Sequence, residues 1–227
     1  MHTPTRLSVF SVLSLIASLL VGGCQGADQS TSPKTAPSTT AGARPAPAVT
    51  APQPPGSVVP APGALEAVVA GGTGFGVGTG MMSTRVLYVF FDPQCPHCGR
   101  LWETTKPLLG QIRVVWMPVA FMSVKSAPQG AAIMSAENPA TAMDAHETLL
   151  SQNRGGMEAP ANANPALLAK IKTNTALWQT LKGESVPFIV FKDPASGQSS
   201  TITGELGTDQ LRNVMGLQPA GAGPAAK

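Results

Sequence analysis

Cysteine and histidine are scarce, with three of each in 227 residues, and that scarcity limits metal chemistry. A closed tetrahedral zinc site needs four ligands. The chain offers Cys95 and Cys98 with His97 between them and His146 far away, half of such a site at most. Covalent haem attachment through Cys-x-x-Cys-His is excluded because Gly99 stands where the histidine is required. Charge is thin as well, at 12% of residues. Across residues 64–217 eleven Lys and Arg face eleven Asp and Glu, so the pI near 8.9 is no footprint of nucleic-acid binding. The glycine-rich stretch Gly71–Gly80 has neither the G-x-G-x-x-G register nor a Gly-Lys-Ser/Thr ending, and no strand precedes it. It reads as a flexible loop or an irregular edge strand rather than a phosphate cradle.

A long apolar run is also missing. Near the start, Leu7 to Val21 carries no charge but is only fifteen residues long, short of the ~20 that cross a bilayer and within the range of a signal-peptide core. It ends Leu20-Val21-Gly22-Gly23-Cys24, which resembles a bacterial lipobox. Residues 1–23 are therefore expected to be a lipoprotein signal peptide and Cys24 an acylated new N-terminus, with ordinary secretion and a free Cys24 thiol as the alternative. Acylation would leave a single redox pair, without an odd thiol beside it to form unwanted mixed disulfides. Gln25 in place of Asp resembles outer-membrane sorting, and either way the chain is expected to face the periplasm. Residues 25–63 are Ala, Pro, Thr, Ser and Gly with no aromatic residue. That composition cannot bury enough apolar surface to offset its ordering entropy, so 24–63 reads as a disordered Pro/Ala-rich tether, as does the tail 219–227.

The chemistry centres on Phe91-Asp92-Pro93-Gln94-Cys95-Pro96-His97-Cys98-Gly99-Arg100. Val86 to Phe91 is a β-branched and aromatic run that predicts a strand buried on both faces. Leu101, Trp102, Leu108 and Leu109 predict a helix behind it, kinked or ended early by Pro107. Pro96 suits the first helical position, which places Cys95 at the N-cap. Unpaired amides and the positive end of the helix dipole then favour the Cys95 thiolate, and a protonated His97 favours it further. Cys98, three residues on, lies on the same face at a spacing compatible with a disulfide.

Tyr88 to Trp102, Y-V-F-F-D-P-Q-C-P-H-C-G-R-L-W, resembles the active-site segment of the bacterial periplasmic thiol:disulfide interchange proteins of the DsbG and DsbC type. Its Cys-Pro-His-Cys sequence is the one found in the oxidase DsbA. The resemblance covers about residues 86–216. It implies an α/β thioredoxin-like fold over 64–218 with a helical insertion at about 123–184. It also implies a thiol:disulfide oxidoreductase in which Cys95 attacks, Cys98 resolves, and Pro96 and His97 tune reactivity. No cofactor is implied. The implied partners are exported proteins with cysteines or disulfides, a Dsb-type membrane redox partner and the membrane itself through the lipid.

Ile112 to Val119 predicts a second strand parallel to the first. Asn138-Pro139 and Asn164-Pro165 predict capped helices, and Leu167, Leu168, Ile171, Trp178 and Leu181 form one apolar face. Met134 and Met143 read as core filling, His146 as a helix-surface residue, and Asp92 and Glu103 as solvated. Ser185 to Phe191 opens a strand with Val186-Pro187, which by resemblance is the cis-proline against the cysteine pair. There Val186 would pair with extended substrate. Valine at this place is the DsbA choice, where DsbG and DsbC use threonine. Two further departures stand out. Residues 25–63 lack the periodicity of a dimerisation domain, so a monomer is expected, and Val89 occupies the place of thioredoxin's buried acid. A reading of another class uses Cys95 and Cys98 as soft ligands in a copper chaperone or assembly lipoprotein.

Overall fold

A computed structural model describes residues 54–78 and 84–218. The signal segment, Cys24, the tether up to residue 53 and the tail from 219 lie outside the described residues.

The apolar run Val86–Phe91 forms the strand β3, and Arg113–Pro118 forms β4 beside it in parallel. Between them the helix α2 spans Pro96–Thr105, and the chain tightens into a 3-10 turn at Lys106–Leu108, where Pro107 removes an amide donor. The remaining strands are β1 (Val59–Pro60), β2 (Phe75–Gly78), β5 (Phe188–Lys192) and β6 (Ser199–Thr203). The remaining helices are α1 (Ala64–Gly71), α3 (Ser126–Ser135), α4 (Pro139–Ser151), α5 (Pro165–Thr180) and α6 (Thr208–Val214). One sheet in the order β1-β6-β5-β3-β4-β2 joins the strands, and only the β3–β4 pair is parallel. The three helices between β4 and β5 are the expected helical insertion.

The few aromatics are concentrated where they bury most area. Phe91 meets Trp116 at 5.7 Å between ring centroids, and Trp116 meets Trp102 of α2 at 5.3 Å, both edge to face. These contacts press the active-site helix onto the β3–β4 pair, and each is worth about 0.5–1.5 kcal/mol beyond the area buried. The glycine-rich stretch resolves into β2, an antiparallel edge strand on β4. Its glycines serve close approach, since a β-carbon at Gly74 would overlap the Trp116 carbonyl oxygen.

The fold starts earlier than residue 64. Gly56 N–H donates to Thr203 O at 2.9 Å, and Val59 and Pro60 pair antiparallel with Thr201 and Ser200. A proline is tolerated there because β1 is an edge strand. Composition hid this, since two residues of ladder carry no readable period. Asn138 and Asn164 cap α4 and α5, accepting from Thr141 N–H at 3.1 Å and Ala166 N–H at 2.9 Å. The last helix is capped differently from the expected Thr208 cap: Gly207 is the N-cap, its N–H donating to Gln210 Oε1 at 3.0 Å, while the Thr208 hydroxyl donates to Thr104 O.

Candidate active site

Both expected motifs meet at the N-terminus of α2. Cys95 is the N-cap residue, with extended backbone, and Pro96 is the first helical residue. The Val186-Pro187 peptide bond is cis. The Val186 carbonyl faces the first sulfur, 3.5 Å from Cys95 Sγ, close enough to accept from the thiol. Cys95 and Cys98 are free thiols and both are buried.

Their environments push the two thiols in opposite directions. A hydrogen bond from the Cys98 thiol is the largest influence on Cys95. With the amides of Cys98 and His97 and the charge of His97 it outweighs burial and brings Cys95 down to about 7. Burial is the largest influence on Cys98 and pushes it well above the ordinary thiol range. Donation to Cys95 and the negative charges of Cys95 and Glu147 add to the rise. One sulfur is poised to be a thiolate near neutral pH, and the other holds its proton.

His97 is placed beside the pair but turns outward, its side chain 59% exposed. Its Nδ1 is 2.6 Å from Arg100 Nη2 and 3.3 Å from Glu205 Oε2. A guanidinium only donates, so Nδ1 accepts from Arg100, and pairing with Glu205 belongs to the protonated ring. Arg100 Nε donates to the same Glu205 oxygen at 2.6 Å. The charge of His97 is accordingly the smallest of the influences on Cys95.

Two residues expected at the surface are instead inside. Asp92 is fully buried and organises the turn before Cys95. It accepts from Gln94 N–H at 2.9 Å, from the Ser126 hydroxyl at 2.6 Å, and from Phe121 and Met122 N–H at 2.9 and 3.1 Å. His146 is fully buried on α4, where Nε2 donates to Pro93 O at 2.6 Å and Nδ1 accepts from Met157 N–H at 3.1 Å. Burial holds its pKa below the usual histidine range, which fits this neutral tautomer. Both corrections have one cause: the helical insertion folds back over the Cys95 turn and removes it from water. Glu103 lies at the surface as expected, paired with Lys106 at 2.7 Å.

Sequence reading also passed over Glu147, which is 6% exposed and lies against Gly99. Met143, His146 and Glu147 share the helical spacing i, i+3, i+4, so the buried Met143 could have marked both polar residues as inward-facing. Asp92 carried a signal too, since its bond to the amide two residues on is an Asx turn ahead of a helix.

The thioredoxin-like domain family model matches residues 82–218. The chain is 27% identical over 135 residues to thiol:disulfide interchange protein DsbG of Pseudomonas aeruginosa, covering 58% of this chain and 51% of that one. It is 26% identical over 108 residues to DsbG of Escherichia coli, covering 47% and 43%. It therefore spans about half the length of the curated relatives it matches. In architecture it is similar to the catalytic domain of Proteus mirabilis ScsC, with a TM-score of 0.52 at 20% identity over 66% of this chain and 96% of that one. A periplasmic thioredoxin-like protein from Salmonella enterica serovar Typhimurium gives a TM-score of 0.52 at 19% identity over 67% and 94%. At these identities the likeness shows the fold, which is the thioredoxin-like α/β fold read from the sheet and its helices. With a matching family model over more than half its length and a Cys-x-x-Cys helix facing a cis-proline, the chain belongs to the thioredoxin-like domain family.

Proposed function

We propose that the chain is a thiol:disulfide oxidoreductase acting on exported proteins. The observation that carries this reading is the opposed ionisation of the two thiols at one helix N-terminus. In the reducing direction, the Cys95 thiolate attacks a client disulfide. One client sulfur leaves as a thiolate and a Cys95–client mixed disulfide remains. Cys98 then gives up its proton and attacks Cys95 Sγ, releasing the second client sulfur and closing the Cys95–Cys98 disulfide. The oxidising direction is the reverse. Val186-Pro187 seats the client beside Cys95, Val186 offering backbone to an extended segment, while Pro96 and His97 tune the attacking sulfur.

The DsbG relatives support this activity class and a periplasmic site of action. Acylated Cys24 would tether the domain there, at the outer membrane by the Gln25 sorting resemblance, and a Dsb-type membrane protein would restore its redox state. The chain acts as a monomer in this reading. A soft-metal site would use two thiolates, whereas Cys98 is strongly held in its neutral form, so the thiol asymmetry favours exchange.

Cys98→Ala removes the resolving sulfur. Expressed in place of the unaltered chain, it should accumulate Cys95-linked mixed disulfides with exported proteins, visible as reducible high-mass bands that Cys95→Ala abolishes. Absence of any trapped client under oxidising conditions contradicts the proposal.

A further inference from the structure

The exchange written above requires Cys98 to gain and lose a proton while buried, and a carboxyl from the helical insertion is placed to handle it. Glu147 of α4 is 6% exposed, and its Oε1 is buried without a hydrogen-bond partner among the described residues. Its other oxygen rests against Gly99, the residue after Cys98. A β-carbon at that position would overlap Oε2 and lie 3.0 Å from the carboxyl carbon. Glycine there leaves the seat that this carboxyl fills. The carboxyl also borders a cavity of about 700 Å³ between α2 and α4, lined by Pro96, Gly99, Arg100 and Thr148 among others.

No cation neutralises it. On α2, Arg100 is committed to Glu205 and His97, and Glu103 is paired with Lys106. On α4, Asp144 takes Lys106 and the Trp102 indole N–H, and His146 donates to Pro93 O. The other elements packed against α4, namely α3 and β2, carry no ionisable side chain. What faces Glu147 is therefore the sulfur pair, and its charge is felt at Cys98 as that of Cys95 is felt at Glu147.

We propose that Glu147 is the proton donor and acceptor for Cys98 during disulfide exchange, an inference that rests on the exchange reading of Cys95 and Cys98. When an incoming thiolate attacks Cys95 Sγ of the oxidised pair, the S–S bond breaks and Cys98 leaves with the electron pair. Neutral Glu147 passes its proton to that sulfur and becomes a carboxylate. In the return step the carboxylate takes the proton back, Cys98 attacks Cys95 Sγ, and the mixed-disulfide partner departs as a thiolate. Burial first, then the negative charges of Cys95 and Glu103, raise the Glu147 carboxyl to about 8, near the pH at which it must both give and receive. Val89 occupies the position before the motif where a buried acid would otherwise serve, so the group arrives from the insertion instead.

The test follows the opening of the oxidised full chain by reduced glutathione from pH 5.5 to 9, with rates divided by the glutathione thiolate concentration. For the unaltered chain the normalised rate should fall as Glu147 deprotonates. The inflection should lie at or below about 8, because the disulfide removes the Cys95 charge, and above the ordinary carboxyl range. Glu147→Gln should slow opening on the order of 10²-fold near pH 6.5 and lose the inflection, and Glu147→Asp should restore part of both. Equal rates and profiles, or uniform slowing with the inflection kept as a packing defect would give, overturn the inference and leave the exchange reading standing. An unaltered chain that does not exchange with glutathione overturns the exchange reading itself. Should Glu147→Gln not fold, infrared spectra of the reduced unaltered chain decide. A neutral-carboxyl band at pH 7 that vanishes above pH 8 is required, and its absence overturns the inference.

Discussion

At the scale of single residues, the site works through unequal neighbours. Cys95 and Cys98 are the same side chain three residues apart, yet one is brought down to about 7 and the other is pushed well up. Glu147 continues the inequality with a stability signature of its own. Its folded pKa, raised to about 8 by burial first, exceeds its unfolded value of 4.5. The folded chain therefore binds the proton more tightly. The resulting stability is full below about pH 4.5 and is lost as pH rises towards 8. His146 has the opposite sign, since a depressed histidine loses stability as pH falls below 6.5. Both chains of a pairwise comparison carry His146 and Cys95, so the difference isolates the carboxyl. Denaturant unfolding of the reduced full chain should show Glu147→Gln gaining on the unaltered chain as pH rises from about 5 to 8, by at most about 1.4 kcal/mol per pH unit, with no further gain above that. A difference that does not vary with pH contradicts a buried, proton-holding Glu147.

At the scale of elements, the site depends on the insertion as much as on the helix that bears the cysteines. Asp92 collects three backbone amides and the Ser126 hydroxyl, which ties the Cys95 turn to the start of α3. Asp92→Ala would leave those donors buried and unpaired. A loss of about 3 kcal/mol or more in unfolding free energy is expected by chemical denaturation, and a loss under 1 kcal/mol would contradict this account. Such elements were unevenly legible in sequence. Strand β3 and helix α2 announce themselves because a dense apolar run and an N-terminal proline act locally. The caps at Asn138 and Asn164 are likewise local. The inward faces of Asp92, His146 and Glu147 depend on where α4 comes to rest, and a polar residue shows no hydrophobic period of its own. Asn174 is a further case: buried on α5, it pairs with both backbone groups of Thr73 and with Pro118 O, joining segments about a hundred residues apart.

At the scale of the molecule, six strands and their helices present one two-cysteine site, and no other group of three or more metal-capable side chains occurs among the described residues. The sheet is closed by two minimal edges, β1 with Pro60 and the glycine-bearing β2, neither of which offers a long strand for pairing with another chain. The β1 edge escaped the sequence reading because a two-residue ladder is specified by its partner β6 rather than by its own composition. The measurement that bears most directly on the whole account is the redox equilibrium of the full chain in glutathione buffers. The account predicts one reversible two-electron transition between about −270 and −120 mV, the span of dithiol exchange proteins, abolished by Cys95→Ser or Cys98→Ser. Thiols that stay reduced across that range, or a disulfide that forms and cannot be reopened, would contradict it.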